Sequence, residues 1–285
     1  MIELKNVSYT YSPDSPFEAT AVKDVSLTIE NGKFYGLIGH TGSGKTTLVQ
    51  LMMGLLKPTQ GYILIDGVSV TEKSMKTRDI ARKIGLVFQY PEYQLFEETV
   101  FDDAAFGPKN LGFSESEIKN RVESALTLVG IGKELYSVSP FELSGGQKRR
   151  VAIAGTIAME PGTLILDEPT AGLDPLGRDD ILNEIKKLHD ERNTTVVLVS
   201  HSMEDVAKVA EDVIVMNHGT PAFCGSVGDV FSRSQELIKM GLSVPQISLV
   251  MNSLREKGFD IDKNIFTVEK AFDVIMKKRG GKLNA

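Results

Sequence analysis

The sequence predicts an α/β fold, a mostly parallel sheet covered by helices with an antiparallel edge added by the leading strands. Three observations carry this. Short apolar runs bounded by turn residues recur along the chain: "KFYGLIG", "GYILIDG", "KIGLVFQ", "TLILDEP", "TTVVLVSH" and "DVIVMNHG". Helical stretches at 115–129, 146–159 and 175–191 separate most of them, and strands alternating with helices make parallel sheets buried on both faces. Residues 1–30 alternate instead: Val22, Val25, Leu27 and Ile29 in "VKDVSLTIE" fit strands with one buried face.

Taken in order, the alternating strands come first. "KFYGLIG" is then a buried strand running into glycines. "TTLVQLMMGLL" is a helix stopped at Lys57-Pro58, because proline cannot continue a helix. Residues 121–147 hold no strand-like run and are expected as a helical insertion. After "GTPAFCGSVG" the pattern changes to amphipathic helices, as in "VPQISLVMNSLREKG" and "TVEKAFDVIMKK". A boundary is therefore expected near residue 225. It leaves a main domain at 1–225, with a helical subdomain at about 90–160, and a C-terminal helical extension at 226–285.

The 285 residues are 41% hydrophobic and 25% charged, an ordinary soluble composition. One cysteine, Cys224, excludes an internal disulfide and fits a reducing compartment. The opening "IELKNVSY" has no basic region or apolar core, so no export signal is expected. No apolar run approaches the ~20 residues that cross a bilayer. A net charge of −6 argues against broad nucleic-acid binding, which works by neutralising phosphates.

"GHTGSGKT" fits the phosphate-loop pattern G-x-x-x-x-G-K-S/T, with a strand before it and a helix after it. Gly39, His40, Thr41, Gly42, Ser43, Gly44 and Thr47 are read as the nucleotide cradle. Lys45 reaches the β- and γ-phosphates, and Thr46 offers its hydroxyl to Mg²⁺. The strand "TLILDEP" ends in Asp167 and Glu168 at the edge where open α/β sheets bind ligands. Asp167 is read as a Mg²⁺ ligand and Glu168 as the residue that polarises the attacking water. Two adjacent carboxylates repel, so a nearby cation is expected. Gln89 and His201 each end an apolar strand on the same rim. His201 is assigned to the γ-phosphate, and Gln89 to Mg²⁺ or the water.

The stretch "LSGGQ" at 143–147 is a second glycine loop before a helix, an anion site in its own right. An ordinary N-cap with a glycine turn explains neither Gln147 nor the register to Asp167. Here the residues resemble the ATP-binding cassette ATPases, which are P-loop NTPases. The order of phosphate loop, Gln89, "LSGGQ", "LILDEP", "AGLDP" and His201 matches that family across about residues 1–225. The resemblance implies ATP and Mg²⁺ as cofactors and a head-to-tail pair of cassettes. Ser144, Gly145, Gly146 and Gln147 would then complete the γ-phosphate site of the opposing chain. It further implies an aromatic stacked on adenine, assigned to Tyr11 with Tyr9 as the alternative. It makes Asp174 the loop aspartate that links the two sites.

"FQYPEYQLFEETVFDDAAFGPKNLG" is similar, more narrowly, to the energy-coupling factor transporter ATPases, and so is the C-terminal extension with "MGLSVPQISLV". "SPFEATAVKDVSL" and "PEYQLFEETV" resemble the second of that group's two paired ATPase types. The resemblance implies a peripheral subunit on the cytoplasmic face of the cell membrane, powering uptake of vitamins or metal ions. Its partners would be a second ATPase subunit (a paralogue or the same chain), a transmembrane coupling protein and a membrane-embedded binding protein, with the extension as a dimer contact. The acidic residues Glu92, Glu97, Glu98, Asp102 and Asp103 form either a solvated loop face or a docking groove for arginines of the membrane protein. The rival readings are an ordinary importer ATPase, a soluble cassette acting on DNA or ribosomes, and a catalytically silent regulatory cassette.

Overall fold

The computed structural model describes residues 1–71, 75–262 and 264–280, so the end of the C-terminal extension lies outside it. Strands β1 (Ile2–Tyr11) and β2 (Ala19–Ile29) pair antiparallel, with Ile2 opposite Ile29 and Leu4 opposite Leu27. β3 (Phe34–Ile38) runs through the phosphate loop into α1 (Lys45–Met52). β4 (Gln60–Ile65) and β5 (Val68–Ser69) complete a four-stranded antiparallel sheet in the order β2-β1-β4-β5. The leading strands thus supply the antiparallel edge subdomain that the sequence predicts. They form a second sheet because their apolar face, with Leu4, Val7, Val22 and Val25 buried, closes over α1.

α2 (Thr77–Lys83) leads into β6 (Ile84–Val87), followed by a 3₁₀ turn at Pro91–Gln94. Three helices fill the insertion: α3 (Val100–Leu111), α4 (Glu115–Leu128) and α5 (Gly145–Ile157). Then come β7 (Thr163–Asp167), α6 (Pro175–Arg192), β8 (Thr195–Val199), α7 (Met203–Val209), β9 (Asp212–Asn217) and β10 (Thr220–Ser226). The main sheet has the order β10-β9-β3-β8-β7-β6. All its pairings are parallel except that of β10 with β9, which supplies its antiparallel edge.

The period-2 alternation of the central strands sorts their side chains into two cores. Phe34, Leu164, Leu166, Val196 and Leu198 face the insertion helices and α6. Tyr35, Leu37, Ile165, Val197 and Val199 face α1 and the antiparallel sheet. Four more helices follow: α8 (Val227–Phe231), α9 (Ser234–Lys239), α10 (Gln246–Glu256) and α11 (Val268–Gly280). Val230, Phe231, Leu237, Leu242 and Val244 join the main core beyond residue 225. Met251, Ile261, Ile265 and Ala271 form a small cluster of their own.

The strand behind the phosphate loop admits no side chain at Gly36. A Cβ there would lie 2.4 Å from Cγ1 of Val206 on α7. Gly36→Ala should therefore force β3 and α7 apart, at a cost of about 1–3 kcal/mol measured by denaturant unfolding.

Candidate functional site

The parallel register sets the site. β3 lies between β9 and β8, with β7 and β6 beyond β8, so the loops leaving β3, β8, β7 and β6 open on one rim. A cavity of ≈ 260 Å³ on this rim is lined by residues 41–47, Ala21, Gln89, Asp167, Glu168 and His201. The loop is wrapped tightly. Gly44 caps α1 at φ +100°, and a Cβ there would stand 2.3 Å from the Ala21 carbonyl oxygen of β2. Only glycine meets both demands. The Ser43 carbonyl accepts from Gly219 N–H at 3.0 Å, tying the loop to the β9–β10 turn.

Lys45 is buried and folds back, its Nζ donating to the carbonyls of Gly39 at 2.7 Å and His40 at 3.2 Å. Burial pulls its pKa below the usual lysine value, opposed by the charges of Glu168 and Asp167. Burial raises the pKa of Asp167, and Lys45 opposes this. Glu168 is pushed up to about 7, first by burial and then by repulsion from Asp167. Burial, and then Lys45, lowers His201. His201 Nε2 lies 3.5 Å from Glu168 Oε1. Glu168 sits at φ +52°, a left-handed conformation uncommon for a residue other than glycine and held by its N–H donating to Val199 O at 3.0 Å.

These residues fit a nucleotide with Mg²⁺. Ser43 Oγ and Glu168 Oε1 are buried without a hydrogen-bond partner, so the rim holds polar atoms that await one. A Cβ on Gly42 would meet nothing within 4 Å, which leaves the loop open to a ligand. The donor set of Thr46, Asp167 and Gln89 is all oxygen and poor in carboxylates. That suits Mg²⁺, which takes its remaining ligands from phosphate and water.

The other predicted residues stand outside this cavity. Tyr11 reaches the loop from β1, its hydroxyl 3.2 Å from Thr47 Oγ1, with Tyr9 edge-on against its ring. The His40 ring turns away, placing Nε2 3.2 Å from Asn217 Oδ1 and stacking near His218. Asp174 caps α6, accepting from Gly177 N–H at 2.8 Å. None of Ser144, Gly145, Gly146 and Gln147 lines the cavity. Ser144 and Gln147 form a capping box at the start of α5, so Gln147 does have a local role that the sequence reading left it without. Gly145 and Gly146 are different: a Cβ on either would meet nothing within 4 Å. This chain gives no packing reason for glycine at these positions.

Three of the five residues in the acidic stretch, which the sequence leaves open between a solvated loop face and a docking groove, are committed to partners within the chain. Glu92 pairs with buried Arg149, and Asp102 with Lys109 and Thr99. Asp103 accepts from the N–H groups of Phe96 and Glu97. Glu98 stays exposed, as do the apolar side chains of Tyr93, Phe96 and Phe106, the last two in edge-on ring contact. Sequence reasoning missed Arg149 and Ala21. The only signal for Arg149 is its place beside "LSGGQ" on a helix; Ala21 acts through its backbone and has none.

A family model described as "ABC transporter" matches residues 22–171. The energy-coupling factor transporter ATP-binding protein EcfA2 of Clostridium acetobutylicum is 58% identical over 277 residues, 97% of each chain. Its counterpart in Clostridium tetani is 57% identical, over 97% of this chain and 96% of that one. Among solved structures, cbiO1 from Clostridium perfringens, described as part of the ABC transporter complex cbiONQ, superposes with a TM-score of 0.75 at 36% identity. It covers 88% of this chain and 98% of that one. A dimeric post-hydrolysis state of the ATP-binding cassette MJ0796, bound to ADP and Pi, gives 0.71 at 30% identity, over 80% and 99%.

The raised Glu168 pKa has a consequence for stability. A carboxyl whose pKa is higher folded than unfolded costs nothing below its ordinary value near 4.5. The cost grows as pH rises toward 7 and is full above it. Glu168→Gln should thus melt higher than the parent at pH 8, by ~2 °C or more, with the difference vanishing near pH 4. Thermal scans across pH read this directly.

Proposed function

The chain belongs to the ABC transporter family as an ATP-binding subunit of the energy-coupling factor type, and from that premise we propose how its residues do the work. It is an ATPase that drives uptake of vitamins or metal ions. The observation that carries this reading is the convergence of Lys45, Thr46, Gln89, Asp167, Glu168 and His201 on one cavity, while the "LSGGQ" residues stand apart from it with open glycines.

Lys45 leaves the Gly39 and His40 carbonyls for the phosphates, its charge little screened in the buried loop. Thr46, Asp167 and Gln89 would hold Mg²⁺, which would supply neutralisation of the phosphate charge. Glu168 accepts a hydrogen bond from the attacking water and orients it in line. A carboxyl poised near neutrality is matched to that proton. His201, beside Glu168, donates to the γ-phosphate. Tyr11 stacks on the adenine. Ser144 and the N–H groups of Gly145 and Gly146, at the positive end of α5, close on the γ-phosphate held by the opposing chain. Asp174 lies on the loop between the two sites.

The second chain is an ATPase subunit, either a paralogue or a second copy of this chain, and the C-terminal helices contact it. The pair docks on a transmembrane coupling protein at the cytoplasmic face, with a separate membrane-embedded protein binding the solute. Among the described residues no helix is long and apolar enough to cross a membrane. The exposed Tyr93, Phe96 and Phe106 on the segment after Gln89 supply an apolar docking surface.

A pull-down from native membranes in mild detergent tests the assembly. A second ATPase, one coupling protein and small binding proteins are expected. Two conventional permeases would point instead to an ordinary importer, and recovery only with nucleic acid would sink the transport reading. Within the complex, Glu168→Gln should retain ATP and stall closed, with turnover down ~10²-fold or more in a steady-state assay. Gly146→Asp should leave ATP binding to the isolated chain intact, since the added side chain meets nothing there, yet abolish turnover of the assembled pair. Titration with a fluorescent ATP analogue separates these two effects.

A further inference from the structure

Arg149 is 3% exposed, and its guanidinium joins two segments of the fold. Its Nε and Nη2 donate to the two carboxylate oxygens of Glu92, at 3.0 and 2.7 Å. Its Nη1 donates to the carbonyls of Pro169 at 3.3 Å and Ala171 at 2.5 Å. Glu92 lies on the 3₁₀ turn beside Tyr93, Phe96 and Phe106. Pro169 and Ala171 follow Glu168 directly. Thr170 between them donates from Oγ1 to Asp205 Oδ2 at 3.0 Å; Asp205 is 5% exposed, on the helix that follows His201. The peptides after Glu168 are thus gripped on one side by Arg149 and on the other by Asp205. Glu168 itself holds a left-handed conformation that its neighbours must maintain.

We propose that Arg149 is a positioning residue through which the Pro91–Gln94 turn sets the attitude of Glu168. The inference rests on the reading of that turn's surface as the membrane partner's dock and of Glu168 as the residue that orients the water. A planar fork fixed bidentately at one end transmits translation and rotation to whatever its remaining donors hold. When docking shifts the turn, the Glu92 carboxylate moves, the guanidinium follows, and the carbonyls of Pro169 and Ala171 are drawn with it. Displacement of Glu168 by ~1 Å is enough to change turnover by ~10²-fold. A lysine could keep the Glu92 pair but presents no fork, so it cannot hold the carboxylate and both carbonyls in one geometry.

The test uses the transporter complex purified from native membranes, with kcat and KM for MgATP measured for the parent, Glu92→Gln, Arg149→Lys and Arg149→Gln. Each variant is expected to lower kcat by ~10-fold or more with KM within ~2-fold of the parent, and Arg149→Lys is expected not to restore turnover. A kcat within ~2-fold of the parent for Glu92→Gln and Arg149→Lys would overturn the proposal. So would a rise in KM that matches the loss of kcat, since that marks general loosening of the site. A lowered melting temperature with unchanged kcat would reduce Arg149 to structural glue and overturn it as well. Should Arg149→Gln fail to assemble, Glu92→Gln decides, because its side chain is the less buried of the pair, 16% exposed against 3%. A parent complex without ATPase activity would refute the assigned function itself, an outcome distinct from any of these.

Discussion

Everything in this molecule depends on the parallel hydrogen bonding that holds β3 between β8 and β9 while β7 and β6 extend the row. A phosphate loop has no rigidity of its own. It is a run of glycines with its N–H groups turned inward, and it keeps its shape because the strand before it cannot move. β3 cannot move because it is buried on both faces and packs without a side chain at Gly36 against α7. Parallel register then makes every neighbouring strand end on the same rim. Gln89, Glu168 and His201 reach one cavity from three separate loops because the backbone ladder aligns their strands.

The antiparallel sheet fastens the loop from outside. The Ala21 carbonyl sits where a Gly44 side chain would be, and Lys23 N–H donates to Gly219 O at 2.9 Å. The turn at Gly219 in its turn bonds to Ser43. The sheet that carries Tyr11 is therefore locked to the loop by backbone contacts. The Tyr11 ring is thereby held at a fixed place beside the loop, its hydroxyl 3.2 Å from Thr47 Oγ1.

Much of this was legible in the sequence because Gln89, Glu168 and His201 each follow a short continuous apolar run at its turn. "LILDEP" and "VVLVSH" announce a buried strand and the residue at its tip in one reading. What escaped depends on long-range pairing. Glu92 reads as one more acid in a charged loop, and only the fold reveals that Arg149, far along the chain, neutralises it. Alternation in the leading strands announces an antiparallel unit with one buried face, but not that α1 is the helix that face covers. The helices after residue 225 were read as lying outside the sheet pattern. Phe231 and Leu237 nevertheless complete the main core, since amphipathicity states that a helix has an apolar side and not what that side meets.

The open glycines of the second loop have a genetic meaning. A Cβ on Gly145 or Gly146 meets nothing within 4 Å, so a small substitution there leaves the packing of the chain and its own phosphate loop intact. If the paired reading holds, such a chain still seeks a partner, still docks, and still loads ATP, but the nucleotide it leaves unfinished is its neighbour's. In a cell that makes both forms, the faulty copy occupies membrane assemblies that the sound copy would otherwise drive. Loss at this loop would then be inherited as interference, whereas loss at Lys45 starts with the altered chain's own nucleotide.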